Sequence, residues 1–97
     1  MAKGYWVVHL DVADPAGYGV YQDFVRPFLA ANGGRFIIRG GPQSVEEGEA
    51  RTRTVIVEFA SLADAQRVYR SDEYQNGIKL RAAASTADFV IVEGLDG

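Results

Sequence analysis

The segment YWVVHLDV, residues 5–12, is rich in β-branched and aromatic residues and is apolar at nearly every position. This pattern predicts a β-strand that is covered on both faces. Asp14 and Pro15 follow almost directly. An aspartate before a proline is typical of a helix N-terminus, because the first helical position needs no N–H partner and the aspartate can cap the turn. We therefore predict a strand that leads at once into a helix.

The predicted helix carries one broad apolar stripe, since its large side chains recur at spacings of three and four residues. The stripe consists of Tyr18, Tyr21, Phe24, Val25, Phe28 and Leu29. Pro27 removes one backbone donor within this helix. Asn32, Gly33 and Gly34 follow, and the glycines favour a left-handed cap that ends the helix there.

Two further strands and a second helix come next along the chain. Residues 35–40 (RFIIRG) and 52–59 (TRTVIVEF) have the β-branched composition of strands. Polar residues 43–51 between them predict an exposed connector. Ser61 precedes Asp64 by three residues, a spacing similar to that of a capping box, and so predicts the start of the second helix.

The last third of the chain predicts a cap, a helical stretch and a strand. Ser71, which two acidic residues follow, resembles another helix cap, and an irregular helical stretch extends from it to about Ala84. Residues 88–94 (DFVIVEG) predict the fourth strand. The order strand, helix, strand, strand, helix, strand predicts an α+β fold of the ferredoxin-like βαββαβ type. Its four-stranded antiparallel sheet would carry both helices on one face.

Length and composition exclude several classes of protein. The 97 residues allow a single domain, residues 1–97. Thirteen acidic against ten basic residues give a net charge of −3, which argues against nucleic-acid binding because that requires clustered positive charge. The absence of cysteine excludes disulfides and thiolate metal sites. No apolar run reaches the ~20 residues of a membrane span and no signal peptide opens the chain, so we expect a cytoplasmic protein with no membrane partner.

Alternation along the strands predicts an uncovered apolar surface on the sheet face opposite the helices. Its apolar members are Val7, Ile37 and Ile56, with Phe89 or Ile91 added if the fourth strand turns that side outward; alternation does not decide between this side and the Val90 and Val92 side. Its polar members are His9, Asp11, Arg39 and Glu58. A patch of roughly several hundred Å² would be large for a monomer. A second copy could cover it through one self-complementary surface. We therefore predict a homodimer whose two sheets face each other around a partly polar interior.

Two segments resemble the signature of a known family. GGRFIIRGG, residues 33–41, resembles the GGR-x-φ-x-RGG pattern (φ is an apolar residue) of the domain of unknown function 1330 family. Residues 68–75 (VYRSDEYQ) resemble its W-Y-x-S-x-E-Y segment, although Val68 replaces the usual tryptophan and Asp72 the usual proline. Tyr21, Arg81 and the closing residues 90–94 fit the family as well.

This resemblance covers nearly the whole chain and extends to the wider superfamily of dimeric α+β barrels. That superfamily includes cofactor-free monooxygenases, haem-degrading enzymes, lactone isomerases and stress-response proteins. The resemblance therefore implies the fold and a dimer. It implies no particular reaction, because one fold hosts many activities.

His9 is the single histidine and the candidate catalytic residue. It lies two residues before Asp11 on the face predicted to be uncovered, and an imidazole there could act as a general base. The alternative is a structural or interface role. Arg39 is predicted on the same face, where its fork could hold a carboxylate or phenolate. The alternative for Arg39 is a salt bridge to Glu58 or Glu93.

Four further residues are candidates for binding a small molecule. Tyr21, Tyr69 and Tyr74 could line a pocket with their hydroxyls, although tyrosines at helical spacing also serve as core residues. Arg81 could neutralise an acidic ligand or pair with nearby acids, namely Asp72 or Glu73.

The leading functional prediction is a small homodimer that binds a small acidic or aromatic molecule in a cleft between the sheet and the helices, with no cofactor and no metal. One alternative is a cofactor-independent enzyme of the monooxygenase or isomerase type. In that enzyme His9 would remove a proton and Arg39 would stabilise the oxyanion. Another alternative is a structural or stress-related dimer without a ligand. The sequence leaves open whether the protein is an enzyme.

Overall fold

A computed structural model describes residues 2–96 and has seven regular elements. In chain order they are β1 (Gly4–Val12), α1 (Pro15–Ala31), β2 (Arg35–Arg39), β3 (Arg53–Phe59), α2 (Leu62–Tyr69), α3 (Asp72–Ala84) and β4 (Ser85–Glu93). The predicted second helical region is divided into α2 and α3, with Ser71 capping the second piece. The last strand begins at Ser85, three residues earlier than its sequence pattern indicated.

The four strands form one antiparallel sheet in the order β2-β3-β1-β4. The first and third strands are therefore central, and the second and fourth are the edges. This order, with the helices packed on one face, is the ferredoxin-like βαββαβ arrangement, so the predicted fold class is confirmed.

Local capping chemistry explains where the two later helices begin. The hydroxyl of Ser61 accepts a hydrogen bond from the Asp64 backbone N–H at 3.1 Å, and the hydroxyl of Ser71 accepts one from the Tyr74 N–H at 3.3 Å. Asp14 occupies the N-cap position of α1, but its side chain makes no capping hydrogen bond. The start of that helix depends instead on Pro15.

The core lies between the helices and one face of the sheet. Trp6 is at its centre, 2% exposed, and its indole N–H donates to the Ala65 carbonyl at 2.8 Å. This bond ties the central strand β1 to α2. The other fully buried large side chains are Tyr74, Phe59, Leu10, Leu29, Val57 and Val68.

A β-bulge in β2 changes which side chains reach the core. Phe36 pairs with Val57, but the next registered pair is Ile38 with Ile56, so one extra residue is inserted between them. Arg39 then lies opposite Val55, a buried core residue. The prediction that Arg39 shares a face with His9 is therefore wrong, because the inserted residue reverses the alternation after it.

The face opposite the helices carries one apolar row that crosses all four strands. The register aligns Ile38 with Ile56, Ile56 with Val7, and Val7 with Val90. Ile38 is 43% exposed and Val90 is 55% exposed. Phe89 and Ile91 pack against the core, so neither belongs to this face and the Val90 side of β4 is the outer one. The prediction that Ile37 belongs to this surface is corrected to Ile38, because the register shifts between Phe36 and Ile38. We call the row Ile38–Ile56–Val7–Val90 the outer apolar row.

Candidate functional site

Arg81 is the one buried charged side chain in the described part of the chain, with 8% of its surface exposed. It projects from α3 toward the sheet, and its Cζ lies 5.4 Å from the centre of the Phe89 ring. Its Nε is buried and has no hydrogen-bond partner. None of the ion pairs within residues 2–96 includes it, so the alternative pairing with Asp72 or Glu73 does not form.

Two buried phenols lie near this guanidinium. The hydroxyls of Tyr21, from α1, and Tyr74, from α3, are 2.8 Å apart and share one hydrogen bond. Burial raises the pKa of both phenols, and the positive charge of Arg81 opposes that shift in each. Both hydroxyls therefore stay neutral near neutral pH. A side-chain hydrogen bond with Arg81 also lowers the pKa of Tyr74, but a neutral hydroxyl brings no negative charge, so among the described residues the guanidinium has no opposite charge beside it.

The space between the sheet and the helices is small and mostly apolar. We call it the interior cleft; its walls include Val8, Tyr18, Tyr21, Phe36, Arg81 and Phe89. Its volume is about 20 Å³, the room of about one water molecule. Tyr69 packs against the Phe89 ring at 4.8 Å and belongs to the aromatic core around Trp6. Arg81 and Tyr21 therefore both line the interior cleft, and the Tyr74 hydroxyl is hydrogen-bonded to that of Tyr21.

His9 lies on the other face of the sheet, where a chain of hydrogen bonds fixes its tautomer. Gln43 donates its amide N–H to the Arg51 carbonyl at 2.9 Å, so its oxygen is free to accept from the Thr54 hydroxyl at 2.7 Å. The Thr54 hydroxyl donates its only proton to Gln43, so it must accept the hydrogen bond from His9 Nδ1 at 3.1 Å. In the neutral form of His9 the lone pair is therefore on Nε2.

A groove of about 590 Å³ surrounds His9 between the connector and the sheet. Three of its charged groups are paired with one another, since Arg51 bonds Asp11 at 3.0 Å and Asp88 at 2.9 Å; Glu49 also lines the groove. Hydrogen bonds from the Thr52 backbone and hydroxyl, followed by Arg51, lower the pKa of Asp11. These contacts hold the connector against the sheet. Sequence reasoning placed residue 51 in an exposed connector and so missed Arg51.

Arg39 and His9 do not meet, since they lie on opposite faces of the sheet. The Cζ of Arg39 lies 5.4 Å from the centre of the Phe36 ring, at the helix-facing edge. It pairs with neither Glu58 nor Glu93, and Glu58 is bonded to Lys3, Arg35 and Tyr5 instead. The structure therefore brings together Tyr21, Tyr74 and Arg81 and separates them from His9.

Residues 2–96 contain neither a candidate metal site nor a candidate membrane-spanning helix. No group of three or more histidine, aspartate or glutamate side chains is placed to hold a metal ion. None of the helices in this part of the chain has the length and apolar character needed to cross a bilayer.

Solved structures similar to this chain share its fold at low sequence identity. A protein of unknown function from Rhodopseudomonas palustris, RPA0582, is 19% identical with a TM-score of 0.75, and the match covers 99% of this chain and 85% of that one. SnoaB, a cofactor-independent oxygenase from Streptomyces nogalater, is 12% identical with a TM-score of 0.67; the coverage is 100% and 97%.

A dimeric ferredoxin-like protein of unknown function from Thermobifida fusca is 10% identical with a TM-score of 0.61, covering 96% of this chain and 90% of that one. No match was found among curated proteins. A family profile, in contrast, matches residues 3–95. Because that match spans almost the full length, the chain belongs to the family described as Domain of unknown function (DUF1330).

Proposed function

We propose that this protein binds a small aromatic acid or phenolate in the interior cleft, with Arg81 as the partner of its anionic group. The observation that supports this most directly is a buried guanidinium with no acid beside it. Taking a charge out of water is costly unless an opposite charge and hydrogen bonds compensate. A carboxylate or phenolate oxygen would supply both at once.

The surroundings of Arg81 favour a ring as the rest of the ligand. The cleft has the rings of Phe89 and Tyr21 in its walls, and aromatic groups pack well in edge-to-face and offset arrangements. The present space of about 20 Å³ is too small for a ring, so these side chains must move apart on binding. The free energy of that opening lowers the observed affinity.

Benzoate is the first probe for this proposal, and benzamide is its uncharged control of the same shape. We expect benzoate to raise the thermal unfolding midpoint because it binds only the folded state; at about 100 times its Kd this would add about 2.7 kcal/mol. Benzamide should have a much smaller effect. In Arg81→Met the benzoate affinity should fall about tenfold or more.

If benzoate and benzamide raised the unfolding midpoint equally, Arg81 would not be the partner of the ligand's anionic group. An increase with benzoate that is as large in Arg81→Met as in the wild type would contradict that role as well. No shift with any small carboxylate or phenol at millimolar concentration would favour a dimer without a ligand. Isothermal titration calorimetry on the same samples separates specific binding from a general salt effect.

A second candidate function is proton abstraction in the groove around His9, as the first step of a cofactor-independent oxygenase or isomerase reaction. It is favoured by the lone pair on Nε2 of neutral His9, which an oriented general base requires. SnoaB has the same fold, which makes the chemistry compatible with this scaffold. Exchange of an activated C–H proton with deuterated solvent should then be catalysed by the protein and lost in His9→Ala; exchange that persists would exclude His9.

We also propose that the protein is a homodimer joined through the outer apolar row. The row is partly exposed and continuous across the sheet, and a second copy would remove it from water. The Thermobifida fusca neighbour is dimeric, which supports a dimer for this fold in general.

Val90→Asp should shift the protein toward monomer in sedimentation velocity at micromolar concentration, because it places charges in the contact of both copies. Leu80→Asp is the matched control, since Leu80 is 39% exposed on α3, away from this face. A wild-type monomer under the same conditions would contradict the proposal.

A further inference from the structure

Three arginines converge on a second, separate cleft at the β2 edge of the helix-covered face. We call it the guanidinium cleft; its polar and aromatic lining residues are Tyr18, Gln22, Arg26, Phe36, Arg39 and Arg53. The first three recur every fourth residue along α1 and so share one face of that helix. No acidic residue lines this cleft in the described part of the chain.

Arg53 forms the inner wall. It pairs with Leu10 across the sheet, which places it on the core side at the start of β3. Its Cζ lies 5.3 Å from the centre of the Tyr18 ring, and its Nε is buried without a hydrogen-bond partner. Gly40, at φ +68°, gives the guanidinium its space, because a Cβ there would collide with Arg53 Cζ and lie 2.7 Å from its Nη2.

Arg39 forms the opposite wall and is stacked in a similar way, 5.4 Å from the centre of the Phe36 ring. A guanidinium that rests on an aromatic face is held in orientation while its N–H edge remains available. Two such edges on one cleft suit a tetrahedral or planar oxyanion, which accepts paired hydrogen bonds. The enclosed space is only about 20 Å³, so the anion must lie at the open rim, where the exposed Arg39 side chain can move to admit it. Arg26 is exposed and adds a third positive charge at the rim.

The three arginines of this cleft are not neutralised by acidic side chains in the described part of the chain. Arg35, Arg51 and Arg67 each bond a carboxylate, but none of the ion pairs within residues 2–96 reaches Arg26, Arg39 or Arg53. The whole chain has a net charge of −3, yet this cleft gathers three positive charges. Like charges in a partly dry site repel each other unless an anion lies between them.

We propose that the guanidinium cleft binds an oxyanion, a phosphate or carboxylate group, through Arg39 and Arg53, at a site separate from Arg81. This proposal does not depend on whether a ligand occupies the interior cleft. Tyr18 and Phe36 form part of the wall of both clefts, so the oxyanion can be a free ion or the anionic group of a molecule whose ring extends inward.

The test is isothermal titration calorimetry of the wild-type protein with inorganic phosphate, with chloride used to hold the ionic strength constant. We expect one saturable site per chain. Arg39→Gln and Arg53→Gln should each weaken phosphate binding about tenfold or more. Arg35→Gln is the matched control, because Arg35 is also on β2 but bonds Glu58, and the phosphate Kd should stay within about twofold of wild type.

Phenyl phosphate distinguishes the two sources of the oxyanion. Tighter binding than inorganic phosphate would indicate that a ring attached to the anion enters the shared wall, and equal binding would indicate a free ion; both outcomes support the site. No saturable binding of phosphate, or wild-type affinity in Arg39→Gln, would overturn it. Arg39 is exposed, so that variant should fold even if Arg53→Gln does not. Because phosphate has no ring, its failure to bind would leave the benzoate test of the interior cleft unaffected.

Discussion

Replacing Arg81 with methionine is expected to raise the free energy of unfolding by about 1–4 kcal/mol while removing the response to benzoate. Arg81 is 8% exposed, and its guanidinium lacks both an acidic partner and a partner for its Nε. Methionine has a similar length, packs against Phe89 and carries no charge that must leave water. Urea denaturation followed by circular dichroism measures the change directly, and thermal unfolding with benzoate measures the loss of binding.

Arg67→Met is the matched control for this prediction. Arg67 is an exposed arginine on α2 that bonds Asp64 at 3.4 Å across one helical turn. Its replacement should change stability by no more than about 0.5 kcal/mol, because exposed ion pairs contribute little. A clear loss of stability in Arg81→Met would contradict the prediction. It would mean that the guanidinium is compensated by the Tyr21 and Tyr74 hydroxyls and needs no ligand.

A gain of stability with a loss of binding would give Arg81 a functional interpretation. A residue that weakens the fold where it stands is expected at a binding site, since stability and function often oppose each other there. The same reasoning applies to Arg53, whose Nε is also buried and unpartnered. Its guanidinium lies over the Tyr18 ring, however, so that contact offsets part of the cost of burying its charge.

Local chemistry explains which parts of the fold could be predicted from sequence. Ser61 and Ser71 form the predicted caps because the bond partner of each lies only three residues away. Trp6 faces the helices as β1 alternation required. The sheet face predicted for Arg39 was wrong because the bulge after Phe36 depends on pairing with β3. Nothing in the segment RFIIRG marks an inserted residue.

The charged members of the candidate sites were harder to predict for a different reason. Tyr74, Gly77, Arg81 and Ala84 recur at three- and four-residue spacings and form the buried stripe of α3. Only its helical spacing from Tyr74 and Gly77 marks Arg81 as inward, because its side chain is not apolar and two acids nearby suggested a surface pairing. Arg53 has the same parity as the core residues Val55 and Val57, which is the signal that could have identified it.

Gly4→Ala should lower the free energy of unfolding by about 1–3 kcal/mol, because it adds a methyl group where no space exists. A Cβ at Gly4 would collide with the Ser61 carbonyl oxygen and lie 2.6 Å from the Leu62 Cα. Both are backbone atoms at the start of α2, so no side-chain rotation can relieve the contact. The helix must move away from β1, which strains the bond from Trp6 to Ala65.

Gly19→Ala is the matched control, and it should raise the free energy of unfolding instead of lowering it. Gly19 lies within α1, and a Cβ there would meet nothing within 4 Å. Alanine in a helix interior is favoured over glycine by about 0.5–1 kcal/mol, so this variant should be more stable than wild type. Chemical denaturation of both variants gives the comparison. If Gly4→Ala were as stable as wild type, α2 would be able to shift on the sheet at little cost, and the interior cleft beside Trp6 could open to a ring more easily than its present volume suggests.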